Sequence, residues 1–206
     1  MRDRITDELG DLPRSQFLVY LMGPYEAFDV ERALEDVDPD AIPESVDFGT
    51  LVGSDHGLER DEAALDLLLD VRDRLRTTAG VNAFLAIDVD VPLEEMDAAS
   101  QSIAFAKASN AVVYVVPAVG DNLGVGIEVG SVLEALFDDE RSDHHRERVA
   151  FVHESGVRSA MIAAVRDRWE ARIYSYEDRA TLERQIRLFV RDLIRKERTG
   201  ELPNVD

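Results

Sequence analysis

The chain contains no cysteine, which excludes disulfides, thiolate nucleophiles and Cys-ligated zinc together. Lysine is nearly absent, standing only at positions 107 and 196, and arginine takes its place. No apolar run approaches the roughly 20 residues that a membrane-spanning helix needs, so no membrane crossing is expected. The charged opening from Met1 to Glu8 lacks the apolar stretch and small-residue cleavage site of a signal peptide, and the expected location is the cytoplasm. A Gly-x-Ser-x-Gly elbow and a Walker loop are both missing, which speaks against serine hydrolysis and P-loop phosphoryl transfer. A basic footprint is missing too, and nucleic acid is therefore not an expected partner.

What is present is acid and apolar bulk. The 206 residues carry a formal net charge of −20, spread along the chain, and 45% of them are hydrophobic. That is enough apolar material for one substantial core, and the length fits a single domain, 1–206, with a long insertion. The acidic, arginine-rich pattern resembles that of proteins from salt-loving archaea. Such a surface repels itself at low ionic strength and is screened in concentrated salt. Runs such as Asp138-Asp139-Glu140 read as solvated faces.

Along the chain, residues 1–15 are polar and read as a short helix or loose arm. Phe17–Met22 is an unbroken apolar run of strand length that ends at Gly23-Pro24, the mark of a strand buried on both faces. A short helix is expected over 30–37, and 38–58, punctuated by Pro and Gly without a period, reads as a long loop or lid. Ala64, Leu67, Leu68, Val71 and Leu75 recur at helical spacing within 60–78. Strands are expected at 83–89, 111–116, 149–153 and 171–174, and helices at 93–108, 124–137, 157–169 and 178–196, with a charged loop before 149. Five strands alternating with helices predict an α/β three-layer sandwich on a mostly parallel sheet, Rossmann-like or flavodoxin-like. In such sheets ligands sit beyond the carboxyl ends of the strands, which makes each loop after a strand a candidate site.

The most informative of these loops is Gly120–Gly130 (GDNLGVGIEVG), which follows a strand and opens a helix. Gly124 and Gly126 let backbone amides approach a ligand, and the helix start favours an anionic group. The spacing departs from the dinucleotide fingerprint, because Val129 occupies the third glycine's place and Gly130 falls one position late. Glu128 lies one turn into the helix, where a capping role is the plain structural alternative. Among the histidines, His144 and His145 fall in the acidic stretch, His56 lies in the long loop, and His153 ends a strand and so can face a pocket. No helical pair of ligands suggests a metal, and no cofactor is expected.

Three stretches together, VYLMGPY at the end of the first strand, Asp97 and Ile103 ahead of Ser109–Val113, and Gly124-x-Gly126-x-Glu128-x-Gly130, resemble the nucleoside 2-deoxyribosyltransferase family over roughly residues 17–135. The resemblance implies that Glu128 is a glycosyl-accepting nucleophile, that Tyr20 orients it, and that Gly23 and Pro24 form a ligand-facing turn. It implies a nucleoside or nucleotide substrate and a homo-oligomer in which a neighbouring subunit helps complete the site. Chemistry of this kind passes through an oxocarbenium-like transition state to a glycosyl-enzyme that water or a second base resolves. Asp88, Asp97 or Asp121 would protonate the leaving base, while Asp88, Asn122, Gly124 and Gly126 would contact the substrate. Two positions depart from the family pattern: Asn122 stands where an acidic residue precedes the nucleophile by six, with Asp121 one place off, and Asn110 replaces the acid before the third strand. Three readings are compatible with these residues. They are N-glycosidic cleavage or transfer through Glu128, a non-catalytic nucleotide-binding or sensing module, and NAD cleavage of the kind carried out by TIR-like domains.

Overall fold

The first strand begins earlier than its apolar run suggests, because Arg14 at its foot donates its amide to the Gly80 carbonyl at 2.8 Å. In the computed structural model, which describes residues 1–24, 55–118, 122–137, 142–157 and 171–205 (the side chains of 55–62, 122–129 and 142–143 excepted), β1 spans Arg14–Met22. It is preceded by helix α1, Arg2–Leu9, so the polar arm is a helix over most of its length. The other strands are β2 (Val81–Phe84), β3 (Ala111–Val116), β4 (Val149–Glu154) and β5 (Arg172–Tyr176). The helices are α2 (Asp55–Arg74, extended by a π-helical turn Leu75–Ala79), α3 (Ala98–Ala108), α4 (Asn122–Phe137), α5 (Ser142–Arg148) and α6 (Arg179–Thr199). None of the helices among the described residues is long and apolar enough to cross a membrane.

The five strands form one parallel sheet in the order β2-β1-β3-β4-β5. The β1 strand lies between β2 and β3, with Tyr20 level with Phe84 on one side and Val112 on the other. Side chains alternate between the two faces. Leu18, Tyr20, Met22, Tyr114 and Phe151 meet α1, α3 and α4 in one core, where Ile5, Phe105, Val132 and Leu136 are buried. Val19, Leu21, Val113 and Val152 meet α2 and α6 in the other, where Leu68, Val71, Leu75, Ile186, Phe189 and Leu193 are buried. Helices on both faces bury β3 and the Phe17–Met22 stretch of β1, and this is why those strands read as continuous apolar runs, whereas edge strand β5 is only partly covered. The expected three-layer α/β sandwich, in flavodoxin-like strand order, is the observed one.

Several element ends differ from their expected places, each for a side-chain reason. β2 stops at Phe84 rather than 89 because the chain turns through a short 3-10 helix, Ala86–Asp88, whose Asp88 carboxylate accepts the Leu85 amide at 2.9 Å. α3 starts at Ala98 rather than 93, because Asp97 caps it and a turn at Pro92–Met96 comes first. The stretch before β4, expected as a charged loop, forms α5, with the Arg146 guanidinium 5.8 Å from the Phe137 ring centre and cations in its last turn, where the helix dipole favours them. α2 begins at Asp55, so the last residues of the expected 38–58 loop are helical; the remainder of that loop and the helices expected at 30–37 and 157–169 lie outside the described residues. Asp178 caps α6 by accepting the Thr181 amide at 2.7 Å, and Gly200 ends it at φ 76°, a left-handed turn that favours glycine.

Asn110 holds the amino-terminal edge of the sheet. Its Oδ1 accepts the Leu18 amide at 2.9 Å and the Arg2 guanidinium at 3.0 Å, and its Nδ2 donates to Glu197 at 2.9 Å. The N-terminal and C-terminal helices are thereby tied to the junction of β1 and β3. An asparagine suits this place because it accepts and donates at once, which a carboxylate does not.

Candidate functional site

Parallel strands that diverge in sequence order from β1 create a crevice at the carboxyl ends of β1 and β3. Met22 is level with Tyr114, so Gly23 follows β1 beside Val115, and β3 runs on to Val116 before Pro117 and Ala118. Five residues, 117–121, then lead into α4, whose amino-terminal end faces the same edge. The turn after β1 and the start of α4, two of the segments expected to form the site, fall at this edge. Asp121 and the side chains of Asn122, Gly124, Gly126 and Glu128 lie outside the described residues.

The remaining expected site residues have places that physical chemistry explains. Tyr20 is buried, stacked on Phe84 at 5.1 Å between ring centres and edge-on to Phe105 at 5.7 Å. Its hydroxyl lies 3.4 Å from the Ser102 hydroxyl, itself fully buried. Tyr20 thus belongs to the core shared with α3 and α4, each ring pair contributing on the order of 1 kcal/mol beyond the area it buries. Gly23 is a packing glycine: a Cβ there would stand 2.8 Å from Leu68 Cδ1 and 3.1 Å from the Val115 carbonyl oxygen. Both Gly23 and Pro24 are buried. The absence of a side chain at 23 lets α2 close onto the sheet beside the crevice.

Asp88 does not end a strand, as the sequence suggested, but sits on the 3-10 turn with its carboxylate bonded to the Leu85 amide and ion-paired with Arg72 of α2. Asp97 is an exposed N-cap. It accepts the Ser100 amide at 3.0 Å and the Ser100 hydroxyl at 2.6 Å, and these bonds hold its carboxyl below the usual carboxylate range. Two of the three expected proton donors are thus engaged in fixing turns, which leaves Asp121.

The far half of the edge carries residues that periodicity alone did not single out. Glu154, the last residue of β4, accepts the Ala118 amide at 2.8 Å and so pins the loop after β3. Its level partner Tyr176 ends β5. The Tyr176 hydroxyl is buried without a hydrogen bond, and burial together with the nearby Glu154 charge raises its pKa. One residue earlier in β4, His153 is half-buried, with Nδ1 3.0 Å from the Glu154 carbonyl oxygen. For Glu154 and Tyr176 the signal was available: each lies at the end of a strand of a parallel sheet, the ground on which His153 was expected to face a pocket, and such ends converge on one edge.

Among the described residues no group of three His, Asp or Glu side chains is placed to hold a metal. The chemistry on offer at this edge is that of carboxylates, a phenol and an imidazole. No curated protein matches the chain. The model of the family described as Domain of unknown function (DUF7509) matches residues 2–206, nearly the whole sequence, and the chain belongs to that family.

Proposed function

We propose that the protein cleaves or transfers the N-glycosidic bond of a nucleoside or nucleotide, with Glu128 as nucleophile, as its resemblance to the nucleoside 2-deoxyribosyltransferases implies. One observation carries the reading. The β2-β1-β3 order sets the carboxyl ends of β1 and β3 side by side, and α4 opens shortly beyond β3. Position 128 precedes Val132 and Leu136 by one and two turns, and those two residues pack in the core that also holds Tyr20. Position 128 lies in the second turn of α4, which opens at the switch point of the sheet where ligands of open parallel sheets bind, and this supports a role for its carboxylate in attack on an anomeric carbon. The departure at Asn110 does not count against it, because Asn110 braces the opposite edge of the sheet.

A binding-only module is the second reading, and a specific observation favours it. Tyr20, which the resemblance assigns to orienting the nucleophile, is stacked on Phe84 and bonded toward Ser102 in the core, so packing accounts for it without a catalytic role. NAD cleavage of the TIR type is a substrate variant of the first reading. We further infer a high-salt cytoplasm as the setting, and a homo-oligomer acting on a small molecule, from the acidic surface and from the resemblance. Incubation of the full chain in multimolar KCl with nucleosides, nucleoside monophosphates and NAD, followed by chromatography for free base, separates these readings. Base release supports the enzyme; ligand-induced thermal stabilisation without release supports the module.

A further inference from the structure

His153 is fixed at the same edge of the sheet as the candidate nucleophile's helix. It is level with Val116, the last residue of β3, and with Ser175 of β5. Val149 and Phe151, four and two residues earlier on β4, pack in the α3–α4 core. The two-residue period of a strand therefore puts His153 on the sheet face that α4 covers. Its Nδ1 lies 3.0 Å from the Glu154 carbonyl oxygen, and a carbonyl only accepts, so Nδ1 carries the hydrogen. Nε2 is then the ring nitrogen that this bond leaves for contact with a ligand. The ring is oriented by the backbone of Glu154, whose carboxylate in turn pins the β3 loop through the Ala118 amide.

We propose that His153 is a catalytic general acid that protonates the departing base; the proposal rests on the glycosidic reading above. An oxygen of the Glu128 carboxylate forms a bond to C1′ as the C1′–N bond breaks, the bonding pair returns to the base nitrogen system, and the proton on Nε2 of the imidazolium passes to the base. The products are a glycosyl ester on Glu128, a neutral base and a neutral His153. Water then displaces the ester, and Nε2 takes the proton that the water loses. His153 joins Asp121 as a candidate for this role, since the carboxylates of Asp88 and Asp97 are held in local turns.

The test compares first-turnover release of base from inosine with that of nitrophenolate from 4-nitrophenyl β-ribofuranoside, a leaving group that departs without a proton. In H153A, base release should fall by about 100-fold or more, the usual worth of a general acid, while the nitrophenolate burst stays near that of the unaltered protein. Added imidazole should restore part of the loss. E128Q should lose both activities. Equal loss on the two substrates, or no loss on either, overturns the role of His153 while leaving the glycosidic reading intact. Failure of the unaltered protein to release nitrophenolate, or base from any of inosine, 2′-deoxyinosine, a nucleoside monophosphate and NAD, overturns the glycosidic reading and the role with it. Long-range proton–nitrogen spectra give a readout independent of turnover: neutral His153 should be the Nδ1–H tautomer, and an Nε2–H tautomer overturns the geometry.

Discussion

Arg148 donates to Glu197 at 2.5 Å with both side chains at least nine-tenths buried, 4% and 9% exposed. The same guanidinium donates to the Asn110 carbonyl at 2.9 Å and to the Pro203 carbonyl, which draws α5, β3 and the C-terminal segment together at the amino-terminal edge. Removing one partner leaves a buried charge uncompensated and costs about 3–5 kcal/mol, whereas replacing both with apolar residues of similar volume is near neutral. Glu197→Ala should therefore lower the melting midpoint by roughly 6–20 °C for a chain of this size. The double replacement R148M/E197L should restore most of the loss. A single substitution that leaves the melt unchanged would show that the pair does not carry this edge.

Gly23 and Leu68 should be energetically coupled. A methyl group at 23 meets a buried leucine tip at 2.8 Å and a backbone oxygen at 3.1 Å, and the leucine can yield more readily than the oxygen. Overpacking of this kind costs about 1–3 kcal/mol. G23A should destabilise by that order, and in the background of L68A the same change should cost less, so that the double-mutant cycle closes with a favourable interaction energy. Additive effects would return Gly23 to the role of a ligand-facing turn.

Tyr176 predicts behaviour in alkali. Burial, reinforced by the charge of Glu154, raises its pKa in the folded protein, so the folded state holds the phenolic proton more tightly than the unfolded chain. Its contribution to stability is present below the ordinary tyrosine value of about 10 and is lost as pH rises beyond it. Y176F removes a hydroxyl that has no hydrogen bond, so at neutral pH stability should hold or rise by up to about 1 kcal/mol. Above pH 10 the variant should lose stability less steeply than the parent. A steeper alkaline loss in Y176F would contradict the placement.

Salt should stabilise the fold. Many exposed ion pairs join the helices and turns, Arg4 with Glu95 and Arg195 with Glu201 among them. Each is worth at most about 1 kcal/mol and weakens as salt is added. Opposing them is the mutual repulsion of a net charge of −20, which the same salt relieves. The excess charge acts over the whole surface, so the expected outcome is that relief of repulsion exceeds the loss of the pairs. Thermal melts from low to multimolar KCl should rise in midpoint; a falling curve would mean that the local pairs dominate.

How far the chain could be read in advance followed the range of the forces involved. The β1 run from Phe17 to Met22 and the α2 stripe of Ala64, Leu67, Leu68, Val71 and Leu75 declare themselves, since burial on a periodic element repeats in the sequence. The alternation of strands with helices announced a parallel sheet, and in the structure β1 and β3 are neighbours in it. What escaped were ends fixed by single side chains, such as the Asp88 turn that cuts β2 short, and the helix of α5, whose Arg148 anchors to residues distant in sequence. The clash that fixes glycine at 23 comes from Leu68, on another element, and leaves no local trace. The strands and the helix that flank the candidate site were legible, but the engagement of Asp97 with Ser100 and the burial of Tyr20 among Phe84 and Phe105 required coordinates.

Bond formation between Glu128 and an anomeric carbon is the step on which the proposed function stands, and it is tested by the release of free base in multimolar KCl by the parent protein and by E128Q side by side. The amide keeps the size of the side chain and removes its nucleophilic charge. The parent should release base from at least one nucleoside, nucleotide or NAD, and intact-mass spectra of the quenched reaction should show the glycosyl ester. E128Q should release none while melting within a few degrees of the parent and still gaining stability from the ligand. Undiminished base release by E128Q would contradict a nucleophilic Glu128.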